Sequence, residues 1–390
     1  MTKNVLYLSY DGMTDPLGQS QVLPYIIGLS KKGYKFHLVS FEKPNRYTQN
    51  RKVIERICSE NEIEWHPLMY TKRPPLLSTI WDVRKMKRKS YALHRKYNFS
   101  LVHCRSYLSS LIGNSMKIKF GISFLFDMRG FWADERVDGK LWDLKNPIYK
   151  WVYNYFKRKE LQFLNNADYT VSLTFSGKEE MLKWEGVIGL KNKLEVIPCC
   201  ADLNLFKPVE RDSNVFTLGY LGSLGTWYML KEMLLVYSKI KERVPEAIFH
   251  FLTKDDPQII YSECKKLGIE SNNIVVEESE RKEIPVKTRN WNLSVFFILP
   301  CYSKKSSSPT KQGELMGMGI PIICNSGVGD VDAIVDKYHS GIVVSSFNQF
   351  NIDEMLEKRF DKQKLSSNAL DYFSLAKGIE SYHKIYEKIC

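Results

Sequence analysis

Short apolar runs alternate with longer amphipathic stretches along the whole sequence. In the first half the runs lie at Asn4–Tyr10, Lys35–Phe41, Leu101–Tyr107, Ser123–Arg129, Tyr169–Thr174 and Leu194–Pro198. In the second half they lie at Phe216–Gly222, Ile248–Thr253, Asn273–Val276, Leu293–Leu299, Ile320–Cys324 and Gly341–Val344. They are rich in β-branched and aromatic residues, and several are apolar throughout. Such strands need cover on both faces, which crossover helices supply in parallel sheets. The pattern predicts an α/β fold with doubly wound parallel sheets. Twelve runs exceed one compact sheet, and the pattern restarts after the proline-bounded passage Pro198–Pro208. Each half opens with a strand, a glycine-containing turn and a helix. The expectation is two similar domains facing a cleft, 1–205 and 206–370, with a hinge near Cys199–Pro208. Residues 369–390 read as one helix carrying Tyr372, Phe373, Tyr382 and Tyr386, with 371–390 expected to cross back to the first domain.

The chain has 390 residues, 44% of them hydrophobic, enough for two domain cores. No apolar run reaches the length of a membrane span. The start, Met1 to Val5, leads straight into a strand without the pattern of a signal peptide, so a cytoplasmic location is expected. Eight scattered cysteines include no CxxC pair, which suits free thiols in a reducing compartment. The net charge is +13, so the surface attracts anions. Seven basic residues fall within Arg84–Lys96. They form either a solvated helix face or a patch that docks on an anionic membrane surface or a lipid-linked acceptor. The second reading makes the protein peripheral on the inner face of the cell membrane. No nucleic-acid motif accompanies the charge, so no nucleic-acid partner is expected.

Ser306 to Pro321 reads S-S-S-P-T-K-Q-G-E-L-M-G-M-G-I-P. A small polar loop at a strand's carboxyl end offers backbone N–H groups and an ammonium to phosphates. Glu314 lies one helical turn beyond Lys311 and can accept from sugar hydroxyls. The segment reads as a nucleotide-sugar pocket. The plainer alternative is an exposed Lys311–Glu314 salt pair at a helix start.

At this point the chain resembles the GT-B-fold glycosyltransferases of family 4, retaining enzymes that build bacterial surface polysaccharides such as lipopolysaccharide and capsule. The resemblance rests on Ser308–Pro321, Asp15–Tyr25 (D-P-L-G-Q-S-Q-V-L-P-Y), Val102–Tyr107 (V-H-C-R-S-Y), Asp127–Trp132 (D-M-R-G-F-W) and Gly219–Tyr228 (G-Y-L-G-S-L-G-T-W-Y). It implies that Glu314 holds the nucleotide ribose. It also implies that the Gly18-Gln19-Ser20 turn brings backbone to the donor phosphate, a reading compatible with an ordinary left-handed turn before a helix capped by Ser20. The family's other glutamate is replaced by Ser306. The Ser306–Thr310 stretch, with Ser308 and Pro309, is expected to substitute, aided by Lys311. Many relatives clasp the diphosphate with an arginine and a lysine after the Gly222 turn. Here Ser223 and Thr226 stand there, and Lys231 is the nearest base. The resemblance implies a nucleotide diphosphate sugar as donor, a lipid-linked oligosaccharide as acceptor, and retention by same-face attack. No cofactor and no metal are expected.

His103 and Arg105 share one strand face, and Asp127 and Arg129 repeat that spacing on the next strand. All four are candidate catalytic-site residues. His103 reads either as a sugar contact or as a hydrogen-bonded core histidine, and Asp127–Arg129 either as substrate contacts or as an ion pair. Asp134, Glu135 and Trp132 could line an acceptor site. Asp330-Val331-Asp332 spells D-x-D, a poor metal signal by itself. Glu42 sits where a dinucleotide fold keeps its ribose acid, but no G-x-G-x-x-G precedes it. Pro147–Leu164 reads as a helix with Ile148, Trp151, Val152, Tyr155 and Phe156 in one stripe, facing either a core or a bilayer surface. Two other functions fit parts of the pattern: a nucleotide-sugar epimerase of the same fold and, from the charge alone, a nucleic-acid-binding protein.

Overall fold

The computed structural model describes residues 3–347 and 351–390. Met1 and Thr2, which precede the expected first strand, lie outside the described residues. The chain divides into two compact units, Met1–Pro198 with Leu375–Cys390, and Cys199–Ser374.

The first unit holds a seven-stranded parallel sheet in the order β3-β2-β1-β4-β5-β6-β7. Its strands are β1 (Lys3–Ser9), β2 (Tyr34–Glu42), β3 (Glu64–Met69), β4 (Leu101–Arg105), β5 (Ser123–Asp127), β6 (Tyr169–Ser172) and β7 (Leu194–Val196). Val5, Leu6 and Leu8 of β1, Leu101, Val102 and Cys104 of β4 and Phe124, Leu125 and Phe126 of β5 are fully buried. Continuous apolar runs are therefore the strands that helices cover on both faces. β3 escaped the sequence reading. Its residues, E-W-H-P-L-M, mix charge and proline, and they are half-exposed at a sheet edge, where a missing N–H does no harm.

The second unit holds a six-stranded parallel sheet in the order β10-β9-β8-β11-β12-β13. Its strands are β8 (Thr217–Leu221), β9 (Ile248–Leu252), β10 (Ile274–Glu277), β11 (Leu293–Phe296), β12 (Ile322–Asn325) and β13 (Gly341–Val344). In both sheets the order reverses beside the opening strand, between β1 and β4 and between β8 and β11. The carboxyl ends at such a reversal form the binding crevice of a doubly wound sheet.

Local signals set the helix ends. Asn146 accepts from the Ile148 N–H ahead of Pro147, starting the helix Pro147–Asn166. The helix Leu77–Tyr97 stops at Asn98, which is left-handed (φ 48°), after the basic turn His94–Lys96. The stretch read as one helix from 369 is two. Lys362–Tyr372 ends at Phe373, and Leu375–Ile389 begins afresh. Ser374 between them bridges to Ala201, which breaks the helical ladder. Tyr372 and Phe373 therefore pack in the second unit. Tyr382 and Tyr386 are sealed into the first, where the last helix lies on Leu23–Ser30 and Ile379 fills the space left by Gly28. The passage Cys199–Pro208 is packed within the second unit: Phe206 is fully buried and Ala201 N–H donates to Phe373 C=O. All eight cysteines are free thiols. No helix among the described residues is long and apolar enough to cross a membrane.

Candidate functional site

In the second unit the chain leaves β8 through Gly222, whose φ of +105° suits glycine. A Cβ there would stand 3.3 Å from Lys311 Nζ, so glycine also leaves room for the ammonium. Lys311 comes from the first turn of the helix Thr310–Gly317 and is 9% exposed. Its Nζ donates to Tyr220 Oη at 3.4 Å and lies 4.4 Å from the Tyr220 ring centre and 3.9 Å from that of Tyr228. Tyr220 Oη in turn donates to Ser223 C=O, tying β8 to its turn. Burial pushes the Lys311 ammonium down to about 7, with the Glu314 carboxylate resisting.

Glu314 is 5% exposed and forms an ion pair with Arg281 at 2.7 Å. The Arg281 guanidinium lies over Phe206, 4.6 Å from the ring centre. Burial raises the Glu314 carboxyl, opposed by Arg281. The exposed Lys311–Glu314 salt pair is thus not what forms: both groups are buried, and the carboxylate's partner is an arginine from a distant segment.

Sequence reasoning missed three further groups here. Arg281 carries no motif. Lys304, buried, stacks over Trp227 of the same turn with Nζ 3.7 Å from the ring centre. Asp255, beyond β9, accepts from Ser223 Oγ and Leu224 N–H and so shapes the Gly222–Gly225 turn. Arg281 and Asp255 arrive from other parts of the chain, and Lys304, two residues before Ser306, gains its place only by stacking on the distant Trp227. Ser306 Oγ is buried without a hydrogen-bond partner among the described residues. Ser308 Oγ accepts from Cys199 N–H at 3.2 Å. Pro309 stands at the N-cap of the Thr310–Gly317 helix, and Lys231 is exposed. The two aspartates of D-x-D have separate duties: Asp330 accepts from Tyr372 Oη, and Asp332 from Gly327 N–H.

In the first unit, Gly18 lies inside the helix Pro16–Gln21, and Asp15 rather than Ser20 occupies the N-cap position. A Cβ on Gly18 would meet Gly12 C=O at 2.2 Å, so the glycine is demanded by its own loop. Ser20 is half-buried, and Gln19 is exposed with its amide reaching Thr14 C=O at 3.4 Å. Glu42 clasps that loop. Its carboxylate accepts from Met13 N–H (2.8 Å), Thr14 N–H (3.0 Å), Thr14 Oγ1 (2.5 Å) and Ser40 Oγ (2.6 Å).

His103, Arg105, Asp127 and Arg129 do come together. His103 Nδ1 meets Tyr386 Oη at 2.7 Å, and Nε2 faces Asp127 Oδ2 at 3.5 Å. Burial lowers the His103 imidazole, so it is held neutral. Asp127 also accepts from Tyr382 Oη (3.1 Å) and faces Arg129 Nη1 (3.8 Å). Burial works to raise its carboxyl, but Arg129 and His103 outweigh that and hold it low. The last helix thus covers His103 and Asp127 as a closed network. Arg105 ends β4 beside the sheet's reversal, with Nε on Asp11 Oδ2 (3.2 Å) and Nη1 buried without a hydrogen-bond partner among the described residues. Asp134 is buried under Lys157 (2.9 Å) and Tyr153 (2.8 Å). Glu135 is half-buried. Trp132 packs on Tyr107, Trp142 and Phe156.

Two doubly wound parallel sheets, with a buried lysine and a buried carboxylate beside the second one's reversal, define the α/β class of the chain. The whole chain matches solved structures of the GT-B glycosyltransferase class. It covers 99% of its length against 98% of sucrose-phosphate synthase from Thermosynechococcus elongatus, at 16% identity and TM-score 0.77. Against a glycosyltransferase from Rickettsia africae the figures are 100% and 98%, 13% identity and TM-score 0.71. Against Anabaena Alr3699/HepE, solved with UDP and glucose, they are 98% and 99%, 14% identity and TM-score 0.66. At such identities the likeness shows the fold. Residues 22–205 match the family model Glycosyltransferase Family 4, and the whole chain has the GT-B fold. No curated protein matches the sequence.

Proposed function

We propose that the protein moves a sugar from a nucleotide diphosphate sugar to a hydroxyl of a lipid-linked saccharide, with retention at the anomeric carbon, in surface polysaccharide synthesis. The observation that carries the donor half is Lys311, a buried lysine held beside the Gly222 turn with its charge disfavoured. An arriving diphosphate restores the charge, and the pair then stabilises the leaving group as negative charge develops on it. Lys304 adds a second cation, and Glu314, oriented by Arg281, accepts the ribose hydroxyls. Ser306 Oγ and the Ser308–Thr310 backbone stand where the donor sugar and its phosphates would sit. In the first unit, Arg105 with Asp11 meets the acceptor. His103, Asp127 and Arg129 position Arg105's strand end. No protein nucleophile takes part.

The acceptor half is supported by the first unit's surface. Leu77, Ile80 and Trp81 are exposed on the helix that also carries the exposed bases Arg84, Lys87 and Arg88, and Ile148 and Trp151 are exposed on the helix Pro147–Asn166. Apolar side chains rimmed by cations suit a face resting on anionic lipid.

A thermal-shift panel of uridine, guanosine and thymidine diphosphate sugars tests the donor reading, with uridine donors first because the Anabaena protein was solved with UDP. One donor class should raise the melting temperature of the wild type and not of Lys311→Ala. Equal shifts in both would refute the assignment. Incubating the stabilising donor without acceptor separates transfer from epimerisation: a new sugar isomer means the epimerase reading is correct.

A further inference from the structure

β2 and β3 pair at the edge of the first sheet, in a register that sets His37 beside Glu64 and Val39 beside His66. One ligand atom from each of His37, Glu64 and His66 lies within 4.8 Å of the others. His37 Nδ1 is 3.4 Å from His66 Nε2 and 3.3 Å from Glu64 Oε2. Ligands bound tetrahedrally to zinc at its usual nitrogen and oxygen distances stand about 3.3–3.4 Å apart. The two edges that meet at His37 Nδ1 therefore already have the length of a zinc tetrahedron's, and the third lies within 4.8 Å.

The rings are held in place. His37 is fully buried, with Tyr97 at 4.0 Å and Phe99 at 5.1 Å between ring centres. Among the described residues its Nε2 has no hydrogen-bond partner, and Nδ1 carries the ring's polar contacts. Lys35 Nζ lies 3.2 Å from Glu64 Oε1 and orients the carboxylate, as an outer-shell partner does. Burial pushes His66 down to about 4 and lowers His37, so both imidazoles offer lone pairs at neutral pH. Two neutral imidazoles meeting nitrogen to nitrogen beside a carboxylate can share at most one proton in that contact. A divalent cation satisfies all three. The charges opposing it, Lys35, Lys89 and Lys96, are lysines rather than ligands.

We propose that His37, Glu64 and His66 form a structural site for a zinc-type divalent cation that clasps the edge strand β3 to β2, with the remaining position left to water. Two nitrogens and one oxygen select zinc over magnesium or calcium. The site lies on the β2–β3 edge and takes no part in the proposed transfer.

The test uses chelator-stripped full chain with Zn2+ and Mg2+ as probes. One equivalent of Zn2+ should bind, raise the melting temperature, and slow amide exchange across Glu64–Met69. Mg2+ should do none of these. His66→Ala and Glu64→Gln alter half-exposed side chains, so metal-free folding is checked by circular dichroism. Each variant should lose at least about tenfold in zinc affinity. Absence of zinc uptake by the wild type, undiminished affinity in either variant, or an equal response to Mg2+ overturns the site.

Discussion

Lys311 is a lysine whose surroundings oppose its charge. Its pKa falls from 10.5 to about 7 because it is buried against Tyr220 and Tyr228. The folded chain therefore holds fewer protons than the unfolded one between those two values. That contribution to stability is least below pH 7 and grows as pH rises toward 10.5, by about 1.4 kcal/mol per unit. A bound diphosphate reverses the preference. Donor binding should take up close to one proton at pH 8, and donor affinity should fall about tenfold per pH unit above 7. Calorimetry in two buffers of different ionisation heat measures this, and Lys311→Arg should flatten the slope. An affinity level from pH 6.5 to 8.5 in the wild type would sink the assignment. Lys311 and Glu314 stand out in the sequence because one short segment carries both. Arg281 and Asp255 do not, because folding brings them from elsewhere, and Lys304 does not, because its partner Trp227 lies on a distant turn.

Glu42 acts through an element, the loop from Gly12 to Thr14. Four donors converge on its buried carboxylate. Glu42→Ala should strand two backbone N–H groups and cost about 3 kcal/mol, read from the midpoint of chemical denaturation. A loss below about 0.5 kcal/mol would mean that water replaces the clasp. The last helix is a second such element. Tyr386→Phe removes one hydrogen bond from His103 and should cost about 1 kcal/mol. Deleting Leu375–Cys390 removes Tyr382, Ile385 and Tyr386 from the first unit's core together. The shortened chain should lose the near-ultraviolet dichroism of that core while keeping the second unit's cooperative melt. Tyr382 and Tyr386 look like any amphipathic helix stripe in the sequence; their polar partners, on β4 and β5, lie more than two hundred residues away.

At the scale of the molecule, the net charge of +13 gains direction from the exposed Trp81 on the helix that carries Arg84, Lys87 and Arg88, and from the exposed Trp151. The protein should sediment with vesicles containing anionic lipid at low salt and release as salt rises. Arg84→Glu with Arg88→Glu should weaken binding by at least about tenfold, since each basic residue near such a surface contributes about 1 kcal/mol. Trp151→Ser should weaken it at every salt concentration, because apolar insertion is not screened. Retention of full vesicle binding by both variants would remove this surface as the docking face.

The sequence by itself determined the alternating strands and helices, the restart after Pro198, and the lysine and carboxylate one turn apart. These depend on hydrophobic period and local geometry, which act over a few residues. Only the tertiary structure decided the strand order, the pairing of Glu314 with Arg281, the sealing of His103 under the last helix, and the edge strand that sets Glu64 and His66 beside His37. Those depend on which distant segments exclude water from one another, and a single stretch of chain carries no record of its partner across the sheet.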